Sequence, residues 1–393
     1  MKTRLLVFLN LLLFFSCNPK NKLVIDTDEL KLSKVIALQK LDSIRIDYLG
    51  KSTIHDLDPE SRTVLFMEHK ESFEQIIIAD FDGKILSSFS KLGDIPDGYG
   101  RLISTLRIID ANSFIAYAYN GFMTYNKEGK ALSRVKLIEF HTPNYVPMLM
   151  GYGLEKIGEK YLYINQDSPV NNDYSDINRY SEMYLLDLLN PATGEKEPII
   201  KIPESSIFRN GKYFFRNAWD PVFHLADNKI YVAFGLDPTI YAFDDNAPYT
   251  LDFSLPLNLP EYNYFKGTDE YSDDFSFFGL RFISGMILNV KKFDGYFLVA
   301  YFPGYDLMDA EIYFENKSPE EAKIFRDSMQ QKYPSRIAIV DSIGNVINDF
   351  VPKGLEPRSM LVRNGELWMM EKSDEEIERD YFRLFKVGLK SEN

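Results

Sequence analysis

Residues 75–89, QIIIADFDGKILSSF, place an apolar run, an Asp-Gly pair and a second run of alternating polarity in succession. Alternation with a period of two sets one face of an extended chain against a core and the other toward water. An Asp-Gly pair between two such runs supplies the positive φ that a tight hairpin needs. The unit returns as GFMTYNKEGKALSRV (121–135) and SRIAIVDSIGNVINDFV (335–351), and more loosely as EMYLLDLLNPATGEKEPII (182–200) and TIYAFDDNAPYTLDFSL (239–255). Two strand-like runs precede each hairpin, such as STIHDL and RTVLFMEH before the first. A sixth set, RSMLVRN, ELWMMEK and YFRLFKVGL, has three runs and no fourth, while VIALQKLDSIRIDYL (35–49) stands without a partner at the other end.

Six four-stranded units, the last completed by an N-terminal strand, predict an all-β fold: a six-bladed β-propeller of antiparallel blades. Closing the ring removes the open sheet edges that an unclosed array would expose. A pair of β-sandwiches also accommodates many short strands, but the recurring four-strand period favours the propeller. With strands lettered a to d from the axis outward, the long connections fall in two classes. The d-to-a class holds 90–102, 139–149, 203–219 and 256–280, and the b-to-c class holds 166–181, 303–335 and 372–380. Both classes emerge on one face, and elaborated loops on a rigid scaffold are where binding resides. The insertion in blade 5 carries a helix signal: Ser318 as cap, Pro319 at the first helical position and Glu321 at the third. Ala322, Ile324, Phe325 and Met329 supply an apolar stripe, and Pro334 stops the helix.

Composition narrows the partners. The 30 Phe and 25 Tyr suit half-buried strands, and a net charge of −13 repels phosphate backbones, which excludes nucleic acid. No basic block offsets that charge, so attraction to an anionic membrane surface is not expected either. The N-terminus, MKTRLLVFLNLLLFFSC, has Lys2 and Arg4 before an apolar core too short to span a bilayer, the form of a signal peptide. Ser16 precedes Cys17, the only cysteine in the chain, and the stretch resembles the lipobox of bacterial lipoproteins, with Phe14 where Leu, Val or Ile is usual. An ordinary secretory signal with an incidental cysteine is the alternative. The expected organisation is a signal peptide over 1–16, a lipidated Cys17 with its tether over 17–33, and the propeller over 34–393. Membrane contact is then through the lipid alone, on the outer membrane of the cell envelope, with the periplasm-facing orientation favoured over the surface-exposed one, and a monomer is expected.

Candidate chemistry is sparse. Among the four histidines, His224 lies on an innermost strand, where it is a candidate base, a metal ligand, or a hydrogen-bonded core residue. No histidine pair has zinc-ligand spacing, and the acidic stretches DLDPE (56–60) and GTDEYSDDF (267–275) lack the alternating ligands of a calcium loop. No metal and no cofactor is expected. A Gly-x-Ser-x-Gly elbow and a phosphate-binding glycine loop are also missing from the sequence. The loop segments hold rings and guanidinium groups instead. Candidate ligand-binding residues are Tyr99, Arg101, His141, Tyr145, Arg216, Trp219, Asp220, His224, Phe278 and Arg281. Flat rings beside planar guanidinium groups suit sugar stacking, carboxylate pairing or a protein partner.

The lipobox, the six units and LGDIPDGYG (92–100) together resemble six-bladed propeller lipoproteins of Bacteroidota, the TolB-like and domain-of-unknown-function 4221 type. Gly93, Pro96, Gly98 and Tyr99 keep the outline of a glycine-rich segment that enters a blade in many of them. The resemblance implies a fold and a compartment. It carries no settled activity; the expected function is an envelope module binding a peptide, protein or glycan, and the alternative is an envelope hydrolase or lyase acting on glycans or lactones at the channel mouth.

Overall fold

The computed structural model describes residues 35–70, 73–93, 95–136, 147–165, 173–372 and 379–392. Six four-stranded antiparallel sheets surround an axis. Blade 1 is β2 (Ser52–Asp58), β3 (Thr63–Lys70), β4 (Phe73–Asp80) and β5 (Ile85–Phe89). Blade 2 is β6 (Arg107–Asp110), β7 (Ser113–Ala118), β8 (Gly121–Asn126) and β9 (Ala131–Val135), and blade 3 is β10 (Glu155–Ile157), β11 (Lys160–Ile164), β12 (Tyr184–Leu189) and β13 (Lys196–Lys201). Blade 4 is β14 (Pro221–Ala226), β15 (Lys229–Phe234), β16 (Thr239–Asp244) and β17 (Leu251–Pro256), and blade 5 is β18 (Met286–Phe293), β19 (Tyr296–Phe302), β20 (Arg336–Val340) and β21 (Val346–Phe350). Blade 6 is β22 (Leu361–Arg363), β23 (Glu366–Met370) and β24 (Tyr381–Glu392), completed on the outside by β1 (Val35–Asp47). The propeller and its N-terminal closing strand are those expected from the repeat.

The burial pattern explains why the sequence reads as it does. The b and c strands lie between neighbouring blades, so both of their faces are covered: all six residues of β7 are buried. The outer d strands have one covered face at most, as in β9, where no residue is fully buried. Between blades 1 and 2 the core comprises Leu65, Met67, Ile76 and Ile78 on one side and Phe114, Ala116, Met123 and Tyr125 on the other. Closure uses the longest ladder: β1 pairs with β24 from Val35 opposite Glu392 to Asp47 opposite Tyr381. Ile44 and Ile46 of β1 are buried in the cluster that includes Phe66, Trp368 and Leu384.

The turn glycines have a second role beyond their dihedral angles. Gly83, in the β4–β5 turn, has φ +87°, and a Cβ there would sit 2.7 Å from the Arg45 carbonyl oxygen of β1. Gly194, in the β12–β13 turn, has φ +77° and would place a Cβ 2.7 Å from the Lys136 carbonyl oxygen, just past β9. The β8–β9 and β20–β21 turns make the same approach, onto Phe89 and Pro256. Each of these turns therefore leans on the outermost strand of the preceding blade, and glycine is required both by conformation and by contact. Gly83→Ala is expected to lower stability by about 1–3 kcal/mol, read as a lower urea midpoint. Lys84→Ala, an exposed neighbour, should stay within about 0.5 kcal/mol of wild type.

The long connections all join d to a or b to c strands and so share one face. They carry α1 (Arg179–Glu182), α2 (Phe275–Gly279), α3 (Leu307–Tyr313) and α4 (Pro319–Lys332). The α4 N-terminus has the reciprocal cap read from the sequence. The Glu321 amide donates to Ser318 Oγ (3.3 Å), and the Ser318 amide donates to Glu321 Oε2 (2.8 Å). One expectation is corrected: Met329 is buried and Ala322 and Phe325 are half-buried, but Ile324 points to solvent, 63% exposed. Positions 322, 325 and 329 share a helix face by the i, i+3, i+7 rule, and 324 lies off it.

Candidate functional site

Each innermost strand sends at least one polar side chain to the axis, and these residues form a ring. β2 supplies His55 and Asp56, β6 Arg107, β10 Glu155, β14 His224, β18 Asn289 and Lys291, and β22 Arg363. Asp56, wholly buried, accepts from Arg107 Nη1 (3.1 Å), Arg363 Nη2 (2.8 Å) and the Ile108 amide (2.8 Å). Arg107 uses its other Nη to reach Glu155, and Arg363 Nη2 also donates to the Ile108 carbonyl (2.7 Å). Three blades are thus tied by one carboxylate. His55 Nδ1 accepts from the Leu106 amide (3.0 Å), adding a neutral tie between blades 1 and 2.

Charge in the ring is set by neighbours. Burial works to raise the Glu155 pKa, but Arg107, Arg363 and Lys291 outweigh it and hold the carboxyl below its ordinary range. Burial pushes the Lys291 amine down to about 8 against the pull of Glu155. His224 is pushed down to about 3 by burial and by the Lys291 charge, so its imidazole is neutral at physiological pH. Two carboxylates and three cations share this small volume.

A strap seals the ring on the loop-bearing face. Residues 149–154, which lead into blade 3, cross toward blades 5 and 6. Lys291 Nζ donates to the Gly151 carbonyl (3.1 Å) and to the Phe223 carbonyl (3.4 Å), and the Tyr152 hydroxyl donates to the Leu288 carbonyl. Gly151 has φ +91°, and a Cβ there would lie 2.1 Å from the Met360 carbonyl oxygen, so only glycine passes. Asn289 Nδ2 fastens the far side by donating to the Arg358 and Met360 carbonyls (2.7 and 3.0 Å). A narrow cavity remains under the strap, lined by Gly151, Gly153, Glu155, Val222, Phe223 and Asn289.

Beside the strap, at the loop-bearing end of β14, lies the rim. Asn217 Nδ2 donates to both carboxylate oxygens of Asp220 (3.0 and 3.1 Å). Asp220 is exposed to solvent at this rim, with protein packed around its base. That crowding pushes its carboxyl up to about 6, against the Asn217 bonds and the charges of Arg281 and Arg216. The guanidinium of Arg281 lies 5.0 Å from the Phe278 ring and 5.2 Å from the Phe282 ring, and that of Arg216 lies 5.3 Å from the Tyr174 ring. Arg179, almost fully buried, sits 4.1 Å from Tyr174 and 5.2 Å from Trp219, and donates to the Asp173 carbonyl (3.1 Å). A buried polar knot steadies the segment that carries the rim. Asp237 accepts from the Ser206 and Tyr241 hydroxyls (2.6 and 2.8 Å), and the Phe214 amide donates to the Tyr180 hydroxyl (3.0 Å).

The structure sorts the candidates from the sequence. Arg216, Asp220, Phe278 and Arg281 come together at the rim. Trp219 lies beneath them, 7% exposed, against Tyr180 and Phe208. His224 faces the axis. Tyr99 is wholly buried between blades 1 and 2, with its hydroxyl donating to Glu74 (3.1 Å), so it packs and does not present itself. Arg101 is exposed over blade 2, away from the rim. His141, Tyr145 and Cys17 lie outside the described residues. Sequence reasoning missed Asp56, Arg107, Glu155, Lys291 and Arg363. Their signal is a charge within an innermost-strand run, as in STIHDLD or ILNVKK, where an apolar residue is the default. Among the described residues no group of three or more His, Cys, Asp or Glu is placed to hold a metal, and no helix is long and apolar enough to cross a membrane.

No family model and no curated protein sequence matches the chain. Among solved structures it is similar to a DUF4221 family member from Bacteroides vulgatus, with a TM-score of 0.63, 11% identity, and coverage of 92% of this chain and 100% of that one. It is more distantly similar to a putative exported protein from Bacteroides fragilis (TM-score 0.49, 10% identity, 91% and 96% covered). A gluconolactonase from Xanthomonas campestris follows (TM-score 0.43, 8% identity, 91% and 92% covered). The first likeness is one of fold: this chain is a six-bladed β-propeller of the shape seen in the DUF4221 family member.

Proposed function

We propose that this chain is a lipid-anchored propeller of the cell envelope that binds its ligand at the rim of the loop-bearing face. The observation that carries the reading is the solvent-open Asp220, with Arg281 and Arg216 beside it, next to an axis filled by its own ion pairs. A filled, strapped axis gives the rim a rigid floor, and rigid floors hold binding groups in place. Two guanidinium groups, one carboxylate and the flanking rings suit a ligand that combines a flat apolar surface with carboxylate or hydroxyl groups, as in an acidic glycan or a peptide C-terminus. The Cys17 context supports the envelope location.

Arg281→Ala is the direct test, because it removes one charge and its ring contacts from an exposed position. Binding to an array of acidic oligosaccharides and to free-carboxylate peptides is expected to weaken at least tenfold, as for loss of a charge-assisted contact, with the urea midpoint unchanged. Equal binding by wild type and variant would sink the rim as the site. Turnover of a lactone or glycan by the wild type, abolished in Asp220→Asn, would replace binding with catalysis.

A further inference from the structure

Six large apolar side chains open to water lie over blade 5. Phe275 (80% exposed), Leu307 (78%), Met308 (69%), Ile324 (63%), Phe282 (50%) and Phe314 (40%) all belong to α2, α3, α4 and their flanking turns. Exposed apolar residues elsewhere, including Leu49 (77%), Ile343 (76%), Leu132 and Phe253, are dispersed over turns, loops and outer strands of different blades. These three helices form one braced cap. The Phe314 ring lies 2.8 Å from where a Cβ of Gly279 would be, which joins α3 to α2. Tyr305 stacks on Tyr333 (4.9 Å), and Asp309 accepts from the Tyr333 hydroxyl (2.7 Å) and from Lys332 (2.5 Å), which clamps α3 to α4. The exposed side chains therefore project from a surface that is already ordered.

We infer that this cap is the contact surface for a second copy of the chain, in a closed two-fold dimer. The six side chains expose about 760 Å² at roughly 200 Å² per large side chain. That lies above the range for the largest apolar patch of a monomer, roughly 300–600 Å². It also covers the apolar share of a standard interface, roughly 500 of about 800 Å² per partner. A head-to-tail assembly needs two different sticky patches, whereas a two-fold dimer needs one that meets itself, and the helical cap is the one place where six exposed apolar side chains share braced helices. The sequence alone leads to the expectation of a monomer, and the oligomeric state decides between the two.

Sedimentation velocity and light scattering across a series up to about 100 µM test this on the chain from residue 18 onward. The wild type is expected to run at twice the monomer mass. Phe275→Asp/Met308→Asp is expected to be monomeric at every concentration, with an unchanged urea midpoint because both residues are exposed. Ile343→Asp, 76% exposed in the β20–β21 turn on the opposite face, should remain a dimer. A monomeric wild type overturns the inference, and so does a dimer that survives the double substitution. Arg281→Ala leaves the apolar cap in place, so the assembly state and ligand capture fail separately.

Discussion

A chain that begins at Lys51, and so lacks β1, is expected not to fold to a stable monomer. The missing strand forms the full-length ladder with β24. It also buries Ile44 and Ile46, each worth roughly 1.5–3 kcal/mol. Their loss, with that of a strand's worth of backbone pairing, is comparable to the roughly 5–15 kcal/mol by which whole domains are stable. The truncated ring would also leave β24 as a long unpaired edge, a template for association with other chains. Size-exclusion chromatography should show aggregate, and thermal melts should show no cooperative transition. A peptide spanning residues 34–50, supplied in excess during refolding, is expected to restore both. A truncated chain that melts cooperatively without the peptide would show that β1 decorates the ring without closing it.

The second large effect is expected at Asp56. Removing one member of a buried ionic cluster leaves the others charged and dehydrated, which costs about 3–5 kcal/mol. Asp56→Ala strips partners from Arg107, Arg363 and the Ile108 amide together. Arg363 keeps its bond to the Ile108 carbonyl but loses its carboxylate partner, and its Nε lacks a hydrogen-bond partner among the described residues. Urea denaturation should show the midpoint falling accordingly, with the slope little changed. Asp82→Ala is the matched comparison. It breaks an exposed pair with Arg62 at 3.4 Å, and such pairs contribute at most about 1 kcal/mol. Equal effects of the two substitutions would mean that the axial ring does not tie the blades.

The blades were legible because their information is local. A strand covered on both faces reads as an unbroken apolar run, as in SFIAYA, and a hairpin reads through its glycine. The missing fourth run of the last unit and the unpartnered run at 35–49 accounted for each other by counting alone. The axial ring was opaque for the opposite reason. Asp56 meets Arg363 across 307 positions of sequence, and no spacing rule links residues brought together only by closing a circle. Charges within innermost strands looked like ordinary alternation. Trp219 and Tyr99 show the same gap from the other side: composition made them candidate contact rings, while packing between blades made them core. The exposed cap was hidden by helix geometry, where a shift of one position moved Ile324 from the assumed buried stripe to open water.

The direction of β1 has a further consequence. Val35 pairs with Glu392 at the hairpin end of blade 6, and Asp47 pairs with Tyr381 at the loop end. The chain therefore enters β1 on the face opposite the strap, the rim and the helical cap. A molecule moored by its N-terminal segment would stand like a lamp on its base, with the mooring below and every elaborated surface turned outward. Those surfaces would then be approached from the side away from the mooring.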